Sequence, residues 1–249
     1  MKIVILGAGN VGTNLQHAFA LQKINVELVP SRPITAGTSS VSLPGADVYI
    51  YAVADNALED VIAHVDAPKA LHLHTSGTAP ITVFGDDKPH AGVLYFFQSF
   101  SKNHLIDDWS SIPVFIEGKN IDDIAAIYSL ALTLTSRIYE ANQHDRERLH
   151  IAGVFTNNFS NLMFRMAADI LKDTQIPFQT LLPLIEQTAE KVHSLSPSQA
   201  QTGPAQRGDT TIINHQLEVL QNTKTISFTS QEKQQVYELL TSIISNHKE

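Results

Sequence analysis

Apolar and polar positions follow two regimes along the chain. Through about residue 140, short β-branched apolar runs alternate with amphipathic stretches, and beyond residue 142 only helical spacing remains. Residues 1–6, 25–29, 47–53, 70–74, 92–97, 113–116 and 137–140 read as strands. Between them, Leu15, Phe19 and Leu21 recur at helical spacing, as do Leu58, Val61 and Ile62 after Asp55, taken as the N-cap, and residues 121–135 form a further helix. Such alternation predicts a mainly parallel, doubly wound sheet with its ligand at the carboxyl ends of the strands.

The second regime predicts helices over 145–172, 178–194, 210–221 and 231–245, the last opened by a capping box of Thr229 and Glu232. The change of pattern divides the chain into an α/β domain, residues 1–141, and an all-helical domain, residues 142–249. Placed at 100° per residue, the long helix carries Ile151, Phe155, Phe159, Leu162, Met166 and Ile170 on one face, the expected core stripe. Beside it run His150, Asn157, Asn158, Asn161 and Arg165. Asparagine is a poor interior helix former, so this stripe reads either as a polar wall lining a cleft or as a solvated face, which would more naturally use Glu, Lys and Gln. Residues 145–245 carry more apolar helix face than a unit of that size can bury, which predicts a homodimer assembled through the helical domain.

Candidate chemistry begins at the first strand. It runs into Gly7-Ala8-Gly9-Asn10-Val11-Gly12, a G-x-G-x-x-G spacing between a strand and a helix. In a dinucleotide site Gly7 permits the tight turn, Gly9 leaves bare backbone for a pyrophosphate, and Gly12 lets the helix pack on the strand. An NAD site would close the second strand with Asp or Glu to hold the ribose 2′-hydroxyl. Here the chain reads Val29-Pro30-Ser31-Arg32. No carboxylate would repel a 2′-phosphate, Ser31 can donate to it and Arg32 can pair with it, so NADP is the expected cofactor. Arg32 as a plain solvated loop charge is the alternative. Thr75-Ser76-Gly77 closes another strand and is the expected neighbour of the nicotinamide end, with His150 across from it as acid or base.

Arg207, in the loop 201–209, reads either as a clamp for a substrate carboxylate or phosphate, or as part of a Gly-Pro turn in which Asp209 caps the next helix. His72 and His74 share a strand face without a third ligand, and no H-E-x-x-H occurs, so no metal is expected. The chain has 249 residues, 43% of them apolar, enough for one large or two modest cores. A formal charge of −8 without any basic run argues against nucleic acid or an anionic membrane as partner. There is no cysteine, hence no disulfide or thiol chemistry, and no apolar run long enough to span a bilayer. Met1-Lys2 leads straight into a strand, which predicts a cytoplasmic protein.

The succession of the glycine fingerprint, Ala52-Val53-Ala54-Asp55, His74-Thr75-Ser76-Gly77, Gln98-Ser99-Phe100, the segment from His150 to Asn158 and the loop from Thr202 to Asp209 resembles one family. It is an uncharacterised bacterial family with a Rossmann-like domain followed by a helical domain of unknown function, similar in turn to pyrroline-5-carboxylate reductases, deazaflavin-dependent NADP reductases and β-hydroxyacid or 6-phosphogluconate dehydrogenases. The resemblance implies a Rossmann-like sheet, an all-α domain of the 6-phosphogluconate dehydrogenase C-terminal type, NADP bound with help from Ala52, Val53 and Ala54, and a dimer whose helical domain completes the active site. Two departures stand out. Many members carry His-Pro before Gln-Ser-Phe where this chain has Tyr95-Phe96-Phe97, and the catalytic Lys of β-hydroxyacid dehydrogenases is replaced by Gly153 or Val154. The expected activity is hydride transfer between NADP(H) and a small C=O or C=N substrate in a cleft between the domains, with His150 exchanging a proton, Asn157 and Asn158 polarising the substrate and Arg207 holding its charged end. The alternative is a non-catalytic NADP(H)-binding sensor or interaction protein.

Overall fold

The structure, a computed structural model, describes residues 1–31, 43–223 and 226–247; Arg32 lies outside the described residues. Seven strands, β1 (Lys2–Leu6), β2 (Asn25–Val29), β3 (Val48–Tyr51), β4 (Leu71–His74), β5 (Ala91–Phe96), β6 (Val114–Gly118) and β7 (Ile138–Glu140), form one sheet in the order β2-β1-β3-β4-β5-β6-β7. β1 through β5 run parallel, β6 turns antiparallel to β5, and β7 runs parallel to β6. The reversal has a covalent cause. Residues 97–113 contain no helix, and without a crossover the returning strand pairs antiparallel.

Helices α1 (Asn10–Leu21) and α3 (Ile121–Ala131) cover one face, α2 (Asp55–Ala63) the other. Alternate residues of β1 serve the two layers: Ile3 and Ile5 pack with Leu15, Phe19 and Ile127, while Val4 and Leu6 pack with Tyr51, Leu58 and Val61. A strand buried on both sides has to be apolar at every position, and Ile3 to Leu6 are. The chain order reverses between β1 and β3, which opens a crevice at their carboxyl ends. The fold class is therefore a Rossmann-like, doubly wound α/β sheet followed by an all-α region.

The sheet ends at Glu140, but the first compact unit extends to Asn157 and the second spans Asn158–Glu249. Helix α4 (Gln143–Gly153) belongs to the first unit because its fully buried Arg146 donates to Glu117, to the Ala141 carbonyl at 3.0 Å and to the Ala79 carbonyl at 2.9 Å. Asp55 is not the N-cap expected of it. Ala54 holds that place, and Asp55 is the first helical residue, its carboxylate accepting the Thr78 hydroxyl.

The expected long helix is interrupted. A π-helical segment, Val154–Phe159, lies between α4 and α5 (Ser160–Leu171). A π turn takes up an extra residue, so a face drawn at 100° per residue does not continue through it. The expected core stripe is accordingly split: Ile151, Phe155 and Phe159 are 58%, 64% and 47% exposed, and only Met166, with the half-buried Leu162 and Ile170, is covered.

The second unit continues through α6 (Leu182–Lys191), the four-residue α7 (Pro197–Ala200) and α8 (Pro204–Arg207), α9 (Thr210–Asn222) and α10 (Ser230–Asn246). α7 and α8 are too short to leave a periodic signal. Asp209 caps α9, accepting the Ile212 N–H at 3.1 Å, and the Thr229 and Glu232 box caps α10 with reciprocal bonds of 3.1 and 2.7 Å. Among the described residues no helix is long and apolar enough to cross a membrane.

Candidate functional site

The carboxyl end of β1 turns at Gly7, whose φ of +115° suits glycine alone and whose Cβ would collide with the Ala52 carbonyl. Gly12 lies so close to the Gly7 carbonyl that a Cβ there would sit 1.9 Å from its oxygen. Gly9 differs: a Cβ would meet nothing within 4 Å. Its missing side chain therefore leaves open space above the start of α1. Among the described residues no side chain caps the first turn of this helix and no acid stands in it, so its N–H groups and positive dipole end face that space. These features fit the diphosphate of a dinucleotide.

The space belongs to a cleft of about 440 Å³ lined by Gly9, Asn10, Val11, Ala52 to Asp55, Thr75 to Thr78, Tyr95, Phe96, Gln98, Phe100 and His150. Thirteen positions were expected to bind cofactor, and the cleft gathers Gly9, Asn10, Val11, Ala52, Val53, Ala54, Ser76 and Gly77 together with the expected acid or base, His150. Gly7 and Gly12 shape the turn beneath it, and Ala8 stands between glycines without lining it. Ser31 follows β2, whose end is tied to the glycine turn by the Gly7 N–H to Val29 carbonyl bond of 2.8 Å, but does not line the cleft. Asn157, exposed at the end of the first unit, is not among the lining residues. Asn158 and Arg207 belong to the second unit, Arg207 exposed as the last residue of α8.

The strand ends are held by polar groups: Ser76, expected at the site, and Asn14 and His74, whose supporting roles sequence reasoning missed. Fully buried Asn14 donates to the Asn10 carbonyl at 2.9 Å and the Ser101 carbonyl at 3.0 Å and accepts the Ile106 N–H at 3.1 Å, fixing the segment after Phe100 against α1. Ser76 Oγ accepts the Thr78 and Ala79 N–H groups at 3.1 and 2.9 Å, and the Ser76 N–H donates to His74 Nδ1 at 3.2 Å. Burial, and then the Arg146 guanidinium, hold His74 down at about 4, so the ring is neutral near pH 7 and keeps Nδ1 as an acceptor. This ring supports the Ser76 loop; among the described residues no three His, Cys, Asp or Glu side chains are grouped so as to hold a metal ion.

Tyr95 is the other missed residue. Its departure, in Tyr95-Phe96-Phe97, from the His-Pro pattern of the resembled family was the one sequence signal pointing to it. Its hydroxyl lies 3.1 Å from His150 Nδ1, and a Cβ on Gly77 would be 2.8 Å from its ring and 3.1 Å from that nitrogen. Burial raises the Tyr95 phenol above the ordinary tyrosine range. α4 comes this near because Gly153, one turn beyond His150, packs on the Phe97 ring, where a Cβ would approach to 2.8 Å. The cleft can thus do two things: receive an anion on bare backbone at one end and exchange a proton at the other.

A fold with a ligand cleft at the switch point of a doubly wound sheet places the chain among Rossmann-like proteins. More narrowly, residues 112–244 match the family described as Domain of unknown function (DUF2520), and the chain belongs to that family. Among solved structures, the Bacteroides fragilis protein BF3122, provisionally named an NADP oxidoreductase, is 35% identical with a TM-score of 0.86, over 99% of this chain and 98% of that one. Protein TM1727 of Thermotoga maritima is 16% identical with a TM-score of 0.69, over 99% and 100%. An imine reductase from Myxococcus stipitatus in complex with NADP+ is 11% identical with a TM-score of 0.63, over 99% and 93%. At such identities the last two bear on fold alone. No curated protein matches the sequence.

Proposed function

We propose that the protein is an NADP(H)-dependent oxidoreductase that moves hydride between the cofactor and a small C=O or C=N substrate. The observation that carries this reading is one cleft joining the bare backbone of Gly9 to a hydroxyl–imidazole pair. When bound, the nicotinamide supplies the hydride. The chain's own residues do the rest: the start of α1 holds the diphosphate, the Ser76 loop borders the reacting end, and His150 supplies or takes the proton. Asn157 and Asn158 are assigned to polarising the substrate and Arg207 to its charged end, with residues 142–249 acting as substrate and dimerisation domain. The name of the Bacteroides fragilis protein supports the cofactor class.

NADP is preferred to NAD on this reading because no carboxylate follows β2 while Ser31 and Arg32 do. Calorimetric titration is expected to show tighter binding of NADPH than NADH, and Arg32→Ala to narrow the gap by roughly 1–2 kcal/mol, the size of one charge-assisted contact. Equal affinities for the two would sink the preference. NADPH oxidation against a panel of keto acids and cyclic imines tests the activity, and binding without turnover would favour a sensor.

A further inference from the structure

We propose that Tyr95 is the group that hands the proton to the substrate and that His150 is the relay that recharges it from solvent. This deepens the reading above and rests on it. Tyr95 stands at the end of β5 with its ring among Phe97 and Phe115, at centroid distances of 6.2 and 6.4 Å, and its hydroxyl in the same cleft as Ser76 and Gly77. His150, on α4, is exposed, so its ring meets water directly while Nδ1 lies 3.1 Å from the Tyr95 oxygen. Two residues 55 apart are brought together beside Gly77, where any side chain would strike both. Tyr95 is half-buried whereas His150 is open to solvent, which orders the two groups from the cleft outward.

In reduction, hydride adds to the carbonyl or imine carbon and its π electron pair moves to the oxygen or nitrogen. That atom takes the Tyr95 hydroxyl proton. Tyr95 oxygen recovers one from the Nδ1–H of a protonated His150, which is left neutral with its remaining proton on Nε2 and is recharged by water. One hydride and one proton are thereby added, and the pair ends as it began. A phenol stays an O–H group across the neutral range and so enters the step as a donor. Asparagine side chains could hold a substrate but could not deliver a proton.

The tests separate this assignment from the reading beneath it. Tyr95→Phe keeps the ring and removes only the hydroxyl. With any carbonyl or imine that the wild type reduces, it is expected to lose roughly 10²-fold in kcat while NADPH affinity stays within about twofold, as for loss of a general acid. His150→Ala is expected to lose activity that added imidazole restores, because the site it vacates is open to solvent. In the free protein, the 15N resonance of His150 Nδ1 is expected to shift in Tyr95→Phe, a readout that needs no substrate. A kcat loss below tenfold in Tyr95→Phe, no rescue by imidazole, or an unmoved Nδ1 resonance would each overturn the relay while leaving hydride transfer standing. NADPH binding with no turnover of any compound by the wild type would overturn the hydride-transfer reading, and the relay with it.

Discussion

Gly9 and Gly12 lie three residues apart on one turn and answer to opposite constraints. At Gly12 the forbidden volume is protein, the Gly7 carbonyl 1.9 Å from a notional Cβ; at Gly9 it is empty space. Gly12→Ala is therefore expected to cost about 1–3 kcal/mol of stability, the usual range for overpacking, read as a lower melting temperature. Gly9→Ala is expected to melt within about 0.5 kcal/mol of wild type, since it touches nothing, yet to bind NADPH at least tenfold more weakly. A Gly9→Ala protein with wild-type affinity would remove the diphosphate from this position. The glycines were legible because their constraint is local, written in six consecutive residues. Tyr95 was not, because the hydrogen bond that gives it meaning comes from a residue 55 positions away. Asn14 and Arg146 escaped for a related reason: a buried polar residue on a helix looks like a solvated one until its partners are known.

Among the elements, the strands were legible because those buried on both faces leave continuous apolar runs, and the helices because a core stripe repeats at 3.6 residues. The π segment Val154–Phe159 was not legible, since a fixed angle per residue carries the α-helix through any sequence. Its consequence is that a stripe drawn at 100° per residue does not run unbroken through this segment, and the contact that His150 makes is with Tyr95 of β5. In the second unit α5 and α10 are joined by Asp169 and Lys233, 2.8 Å apart and both shielded from water, with the Ser227 N–H donating to Asp169 at 3.0 Å. Lys233, chiefly, holds the Asp169 carboxyl well below the usual carboxylate range. A depressed carboxyl contributes stability that is present above its unfolded value of about 3.9 and is lost as pH falls below that value toward its folded one. Few layers of protein surround the pair, so solvent polarisation reaches it, and Lys233→Met is expected to cost about 1–2 kcal/mol at pH 7 rather than the 3–5 of a deeply sealed pair. The variant's deficit relative to wild type should shrink as pH falls below about 4, because the Asp169 carboxyl freed of Lys233 takes up a proton there while the paired one in the wild type stays ionised to lower pH. A deficit unchanged from pH 7 to pH 3 would show that packing, not charge, accounts for it.

At the scale of the whole molecule the two units differ in what they bury. The α/β unit closes two cores, one on each face of its sheet. In the helical unit, by contrast, Met166, Ala205 and Leu220 are the buried apolar residues among those described, while Leu184, Leu239 and Ile243 stand 65%, 61% and 48% exposed. This imbalance was legible as a surplus of apolar positions at helical spacing, since counting needs no contact map. A unit of 92 residues with so small an interior falls short of the burial a domain needs to offset its chain entropy, and a second copy of the same surface is the commonest remedy. The chain is therefore expected to run as a homodimer in light scattering at micromolar concentration. Leu239→Glu combined with Ile243→Glu, which places two charges on one face of α10, is expected to shift it to monomer and to lower its melting temperature, because dimer and helical unit are stabilised by the same burial. A wild-type mass of one chain would sink the expectation. A dimer that survives both substitutions would place the interface on other helices.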